Sequence, residues 1–200
     1  MNPSSPHHMI GQVILALALA ISSQAAAATF AFTGMEMNDT PPPAPSALCD
    51  PGQVRVAFSP TTATVSGSSN FGTFAPTMAH CLTPPPTSYT GGVFDFTFEA
   101  GDQLTGIYSG FFTPTGVPSV LNNTVNYVVT GGTGRFLGAT GTIQGLGILD
   151  RSVPRPLGTL ALTGSLELPA VPEPATWSMM ICGFGLTGSA IRRRRKAIAA

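Results

Sequence analysis

The clearest pattern in the chain is alternation. In Val93-Phe94-Asp95-Phe96-Thr97-Phe98-Glu99 the three phenylalanines share one side, while Asp95, Thr97 and Glu99 share the other. Leu160, Leu162, Gly164, Leu166 and Leu168 repeat the pattern, and Val125, Tyr127 and Val129 give a third run. A period of two marks a strand with one buried and one wetted face. Weaker runs at 29–33, 54–59, 63–66, 104–112 and 140–149 bring the expected count to about eight strands, and helical periodicity is scarce between them. One-sided alternation belongs to antiparallel sheets, and closing such a sheet removes its exposed edges. The body at 29–168 is therefore expected to be all-β, an antiparallel barrel of about eight strands. Proline-rich runs at 41–45 and 84–86 read as an extended spacer and a rigid loop.

The two ends follow another rule. An apolar run from Val13 to Ile21, a polar break and the tract Ala25–Ala28 predict an export signal over residues 1–28, although no Lys or Arg precedes the run. Residues 175–191 carry no charge and are followed by Arg192, Arg193, Arg194, Arg195 and Lys196. Seventeen residues of helix extend about 26 Å, a short fit to a bilayer core of about 30 Å. Trp177 stands at one end of this stretch and the cations at the other. That predicts a transmembrane helix at 175–191, a basic cytoplasmic stop at 192–200 and the body outside. Residues 169–177 form the linker between body and helix.

Charge changes the picture only through its distribution. With the five terminal cations set aside, Arg55, Arg135, Arg151 and Arg155 face nine acids, a balance of 4 − 9 = −5. Such a body offers no footprint for nucleic acid. Of three cysteines, Cys182 falls in the apolar stretch, leaving Cys49 and Cys81 as a candidate disulfide in an oxidising compartment. A metal site is the competing reading of that pair. It has only His80 beside it outside the leader, and no Cys-x-x-Cys spacing, so no metal is expected.

Catalytic signals are thin. Gly183, Gly185 and Gly188 spell G-x-G-x-x-G, but inside the apolar stretch, where small residues favour close helix approach instead. The run from Thr130 to Gly145, TGGTGRFLGATGTIQG, lacks the lysine of a phosphate loop and reads as a hairpin with glycine turns. There is no G-x-S-x-G elbow. Asp95, Glu99 and Asp102 lie close in sequence, and the first two belong on the wetted face unless the phenylalanines point outward. Inward glycines at Gly106, Gly110, Gly145 and Gly147 would leave room for a ligand. No cofactor, catalytic set or enzymatic activity is expected from these signals.

Pro172-Glu173-Pro174 with Trp177, the glycine-rich apolar stretch and the basic cluster resembles the PEP-CTERM sorting signal of Gram-negative bacteria. The resemblance implies export across the inner membrane and transient anchoring there. It also implies cutting near Pro172–Pro174 by an exosortase, then delivery to the cell surface or matrix in an exopolysaccharide or biofilm setting. The GGTGRF hairpin and the preceding run from Phe94 to Pro114 resemble allene oxide cyclase-like and dirigent-like barrels, which implies an eight-stranded, lipocalin-like shape but carries no chemistry across. The expected function is a structural or adhesive surface module. The alternatives are a barrel that binds a glycan or small ligand, and a cyclase-type enzyme.

Overall fold

The computed structural model describes residues 27–84, 87–169, 181 and 183–185. Ala27–Pro169 forms one compact unit. Its strands are β1 (Ala28–Asp39), β2 (Val54–Phe58), β3 (Val65–Ser69), β4 (Gly72–Thr83), β5 (Ser88–Phe98), β6 (Gln103–Pro114), β7 (Val120–Gly132), β8 (Thr140–Asp150) and β9 (Leu157–Leu168). From β4 to β9 they run as an antiparallel meander. β9 then pairs with β1, β1 with β3 and β3 with β4, closing an eight-stranded barrel. The ninth strand, β2, also pairs with β4.

β3 and β2 share one edge of β4, because β5 takes the other. β3 covers Gly72–Phe74, and β2 covers Met78–Leu82. Pro76 falls between those two stretches, where the ladder on that edge is interrupted and no N–H is required. The far edge of β2 meets the proline run. Ala44 is the only residue in 41–45 with an N–H, and it supplies a bridge: Ala44 N donates to Arg55 O at 2.9 Å, and Arg55 N returns 2.8 Å to Ala44 O. The expected spacer is therefore also a short piece of barrel wall. Cys49 and Cys81 are joined by a disulfide with Cα atoms 5.5 Å apart, fastening the connection before β2 onto β4.

The inner face carries a column of rings. Phe136 meets Phe98 at 4.9 Å, Phe74 stacks on Phe96 at 4.5 Å, and Phe94 reaches Tyr127 at 5.3 Å. Tyr127 stacks on Tyr108 at 5.5 Å, and Tyr89 continues to Phe112 at 5.3 Å. Such pairs contribute about 0.5–1.5 kcal/mol each beyond area burial. The inward glycines do not hollow the barrel: Phe94 lies where a Gly106 side chain would sit, and the Tyr89 ring where that of Gly110 would sit. Gly145 lies beside Leu160, Leu162 and Tyr127, and Gly147 against the Thr159 carbonyl. These glycines make room for neighbours, not for a broad cavity.

The two barrel ends differ. At the end holding Ala28 and Leu168, the β7–β8 hairpin folds through a 3-10 turn at Gly134–Phe136, and Phe136 plugs the interior at 0% exposure. Gly134 has φ +58°, and a side chain there would collide with Asp102. Arg135 lies 4.9 and 4.8 Å over the Phe98 and Phe136 rings, and its Nε meets Asp102 Oδ2 at 3.1 Å. The other end carries the connections 40–53, 115–119 and 151–156, while Pro85 and Pro86 of the expected rigid loop lie outside the described residues. There Arg155 ties Asp39 at 3.0 Å and the Thr62 carbonyl at 2.9 Å.

Of the expected terminal helix, 181 and 183–185 are helical. The rest of 175–191 lies outside the described residues, as do most of the signal at 1–28, Pro172, Glu173, Pro174, Trp177, Arg192, Arg193, Arg194, Arg195 and Lys196. Among the described residues no helix is long and apolar enough to cross a membrane.

Replacing Cys49 with Ser in non-reducing buffer is expected to lower unfolding free energy by about 3–4 kcal/mol, since the cross-link closes a loop of 32 residues' separation. Denaturant titration with and without reductant checks this. An unchanged midpoint would show that the loop is held by other contacts.

Candidate functional site

At the end opposite the plug the barrel encloses a cavity of about 70 Å³. Its walls are mostly apolar, with Val56 and Phe58 from β2, Met78 from β4, Phe112 from β6 and Leu160 from β9. Set into these walls are Glu36, Asn38, His80, Tyr89, Tyr108, Asn123 and Tyr127. The strands place them by parity. Phe32, Glu36 and Asn38 on β1 face inward, so that Met35 and Met37 face out at 56% and 41% exposure. On β4, Phe74, Pro76, Met78 and His80 share the inner face. An irregularity in β5 between Tyr89 and Gly92 shifts the inward set from Tyr89 to Gly92, Phe94, Phe96 and Phe98.

Glu36 is 1% exposed. Tyr127 Oη donates to its Oε2 at 2.9 Å, and Asn38 Nδ2 donates to Oε1 at 3.0 Å. Burial pushes its pKa up to about 7, against the pull of these two donors. His80 is 8% exposed, with Nδ1 2.7 Å from Tyr108 Oη and its ring stacked 4.5 Å from Tyr89. Burial lowers its pKa to about 4, so it is neutral above that range. Tyr89 Oη donates to Asn123 Oδ1 at 2.8 Å. Burial holds all three tyrosines above the usual phenol range, helped next by Glu36 at Tyr89 and Tyr127 and by Tyr89 at Tyr108, so they remain donors. Among the described residues no buried side-chain nitrogen or oxygen lacks a partner, and no group of three metal-ligating side chains converges. With its pKa raised to about 7, Glu36 is the cavity group that gains or loses a proton near neutrality.

The acids singled out from the sequence lie elsewhere. Asp95 is on the outer wall, where Thr97 Oγ1 donates to it at 3.1 Å, Glu99 is exposed, and Asp102 is engaged with Arg135. The sequence does not single out Glu36, because Met35-Glu36-Met37-Asn38 inverts the expected parity, with thioethers outside and polar groups inside. Tyr127 is readable as an inner residue from Val125 and Val129 at i ± 2, whereas Tyr108 stands between Gly106 and Gly110.

The outer wall carries a second arrangement. Strand register aligns Ser109, Asn126, Gln144, Thr163 and Thr33 in one row across β6, β7, β8, β9 and β1. All five are exposed and uncharged. Shallow grooves of about 430 and 460 Å³ lie along this row, one over Gly164 and the other between Val93, Ile107 and Val128.

The body is thus an all-β protein built as a closed antiparallel barrel of eight strands with one extra strand. Residues 170–196, which follow the barrel, match the family model of the PEP-CTERM protein-sorting motif. The chain therefore carries the sorting signal of exported proteins that exosortase processes at the cell envelope. No curated protein and no solved structure matches the chain.

Glu36 and His80 load stability in opposite directions. A carboxyl whose folded pKa is raised from 4.5 to about 7 costs stability as pH rises through that window, because the unfolded chain gives up its proton first. A histidine lowered from 6.5 to about 4 costs stability as pH falls through its window, because the unfolded chain takes up a proton first. Between pH 4.5 and 6.5 the two slopes cancel. Glu36→Gln is expected to expose the histidine slope, about 1.4 kcal/mol per pH unit, with stability rising from pH 4 to 6.5. His80→Gln is expected to show a slope of opposite sign up to pH 7. Denaturant midpoints across that range test both, and two parallel flat profiles would refute the assignment.

Proposed function

We propose that the barrel is a structural or adhesive module of the cell surface or extracellular matrix. It is anchored transiently in the inner membrane through 175–191 with the basic cluster Arg192–Lys196 inside, cut near Pro172–Pro174, and held in an exopolysaccharide or biofilm matrix. The match at 170–196 supports the route. Prolines fix φ near −65° and lack a donor, so Pro172-Glu173-Pro174 favours an extended form that an enzyme can grip.

The observation that carries the adhesive reading is the row Ser109–Asn126–Gln144–Thr163–Thr33. Hydroxyls and amides spaced at the interstrand distance of about 4.8 Å present donors and acceptors without charge. Aliphatic side chains at Val93, Ile107 and Val128 flank them. That composition suits a hydroxyl-rich polymer, which needs many weak directional contacts more than a few charged ones.

Mass spectrometry of the mature protein from its host is expected to find a new C-terminus near Pro172–Pro174; a C-terminus at Ala200 would end the sorting part. In sedimentation with host exopolysaccharide, the combined Asn126→Ala and Gln144→Ala variant is expected to bind about tenfold more weakly, from two lost hydrogen bonds of about 0.5–1.5 kcal/mol each. Unchanged sedimentation would remove the row from the adhesive surface.

A further inference from the structure

The interior cavity is not needed by an adhesive outer wall, and its chemistry is specific. Glu36 is the one carboxyl lining it, and no Lys or Arg is among the lining residues. Around it stand the rings of Phe58, Tyr89, Tyr108, Phe112 and Tyr127. A carboxyl beneath a box of electron-rich rings is complementary to a compact organic cation: the rings attract it through their quadrupoles, and the carboxylate neutralises it. An anion would meet the Glu36 charge. A neutral apolar molecule would give that carboxyl no partner beyond Tyr127 and Asn38.

We propose that the open end of the barrel is a binding site for a small aliphatic ammonium head, with Glu36 as counter-ion and Tyr89, Tyr108 and Tyr127 as its aromatic walls. Size sets the limit. The cavity of about 70 Å³ is roughly half the ~150 Å³ that accommodates benzene, which fits a head of three or four heavy atoms. Any longer tail must leave through the mouth, between Thr40, Leu82 and Phe112. That mouth lies at the far end of the barrel from Leu168.

Binding and protonation are coupled. The titratable groups facing Glu36 are His80 from β4, Tyr89 from β5, Tyr108 from β6 and Tyr127 from β7. β2, β8 and β9 contribute only Val56, Phe58, Leu149, Leu160 and Gly158, and β3 contributes no lining residue. His80 is neutral above about pH 4 and the tyrosines keep their protons, so Glu36 is the group that changes charge near neutrality. Below pH 7 the ligand must release the Glu36 proton to solvent, and affinity falls roughly tenfold per pH unit. Above it, affinity levels off while the amine stays charged.

Calorimetric titration of the full chain in detergent, with propylammonium, propanol and propionate as probes, tests the proposal. Propylammonium is expected to bind with Kd of about 0.1–1 mM at pH 8, and propanol and propionate at least tenfold more weakly. Raising pH from 5.5 to 8 should strengthen propylammonium binding, with proton release visible as a dependence on buffer ionisation heat. Glu36→Gln, which conserves volume, should weaken it about tenfold and abolish the pH dependence, while Asp95→Asn on the outer wall should leave it unchanged. Equal binding of propanol, no saturable binding of propylammonium, or pH-independent binding by the native chain would each overturn the assignment. The wild-type pH profile keeps the test decisive even if the Glu36 variant fails to fold.

Discussion

The pairing of β1 with β9 is the contact on which the rest depends. Twelve consecutive residues, Ala28–Asp39, lie antiparallel to Leu168–Leu157 without a break in register. Without that ladder the sheet would be open, with the long edges of β9 and β1 bare and prone to edge-to-edge association. With it, the barrel closes, and Ala44 bridges the far edge of β2. The same register decides the interior. A slip of one residue would turn Met35 and Met37 inward and expel Glu36 and Asn38, because side chains alternate with a strict period of two.

Closure also explains why a buried carboxyl is tolerable. An isolated ionised group in such surroundings would cost several kcal/mol, and the molecule answers with two donors and a raised proton affinity. The rigid wall holds Tyr127 and Asn38 where those donors are needed; on a mobile loop the same residues would spend part of their time unpaired. The plugged end performs the complementary task. Phe136, Phe98 and the Arg135 guanidinium fill it, and the polar cluster lies at the opposite end.

How much of this was legible in the sequence follows from how strictly each strand obeys alternation. β5 and β9 do so over most of their length, and their inner faces were readable residue by residue. β7 was seen only at its centre, because Asn122, Asn123 and Thr124 dilute the pattern. Alternation does not reveal β4: Pro76 argues against a strand by itself, and the interruption between β3 and β2 that excuses it is a tertiary fact. β1 was truncated at Thr33 because its second half reverses polarity. The cavity was invisible for the same reason, since its defining residue stands where a core residue was expected. The glycines pointed to open space, whereas aromatic rings from neighbouring strands occupy it.

Such reversals are informative in themselves. A barrel selected only for robustness would place Met35 and Met37 inside and Glu36 and Asn38 outside, gaining apolar burial and avoiding the desolvation of a carboxyl. The fold does the opposite at one end and follows the rule at the other, where phenylalanines fill the interior. Departures from local consistency concentrate where a site has a use for them. Here they fall at the mouth, beside His80 and the three tyrosines. The outer wall keeps its uncharged row and the segment beyond Leu168 its sorting motif, so envelope delivery and interior chemistry are carried by separate parts of one short chain.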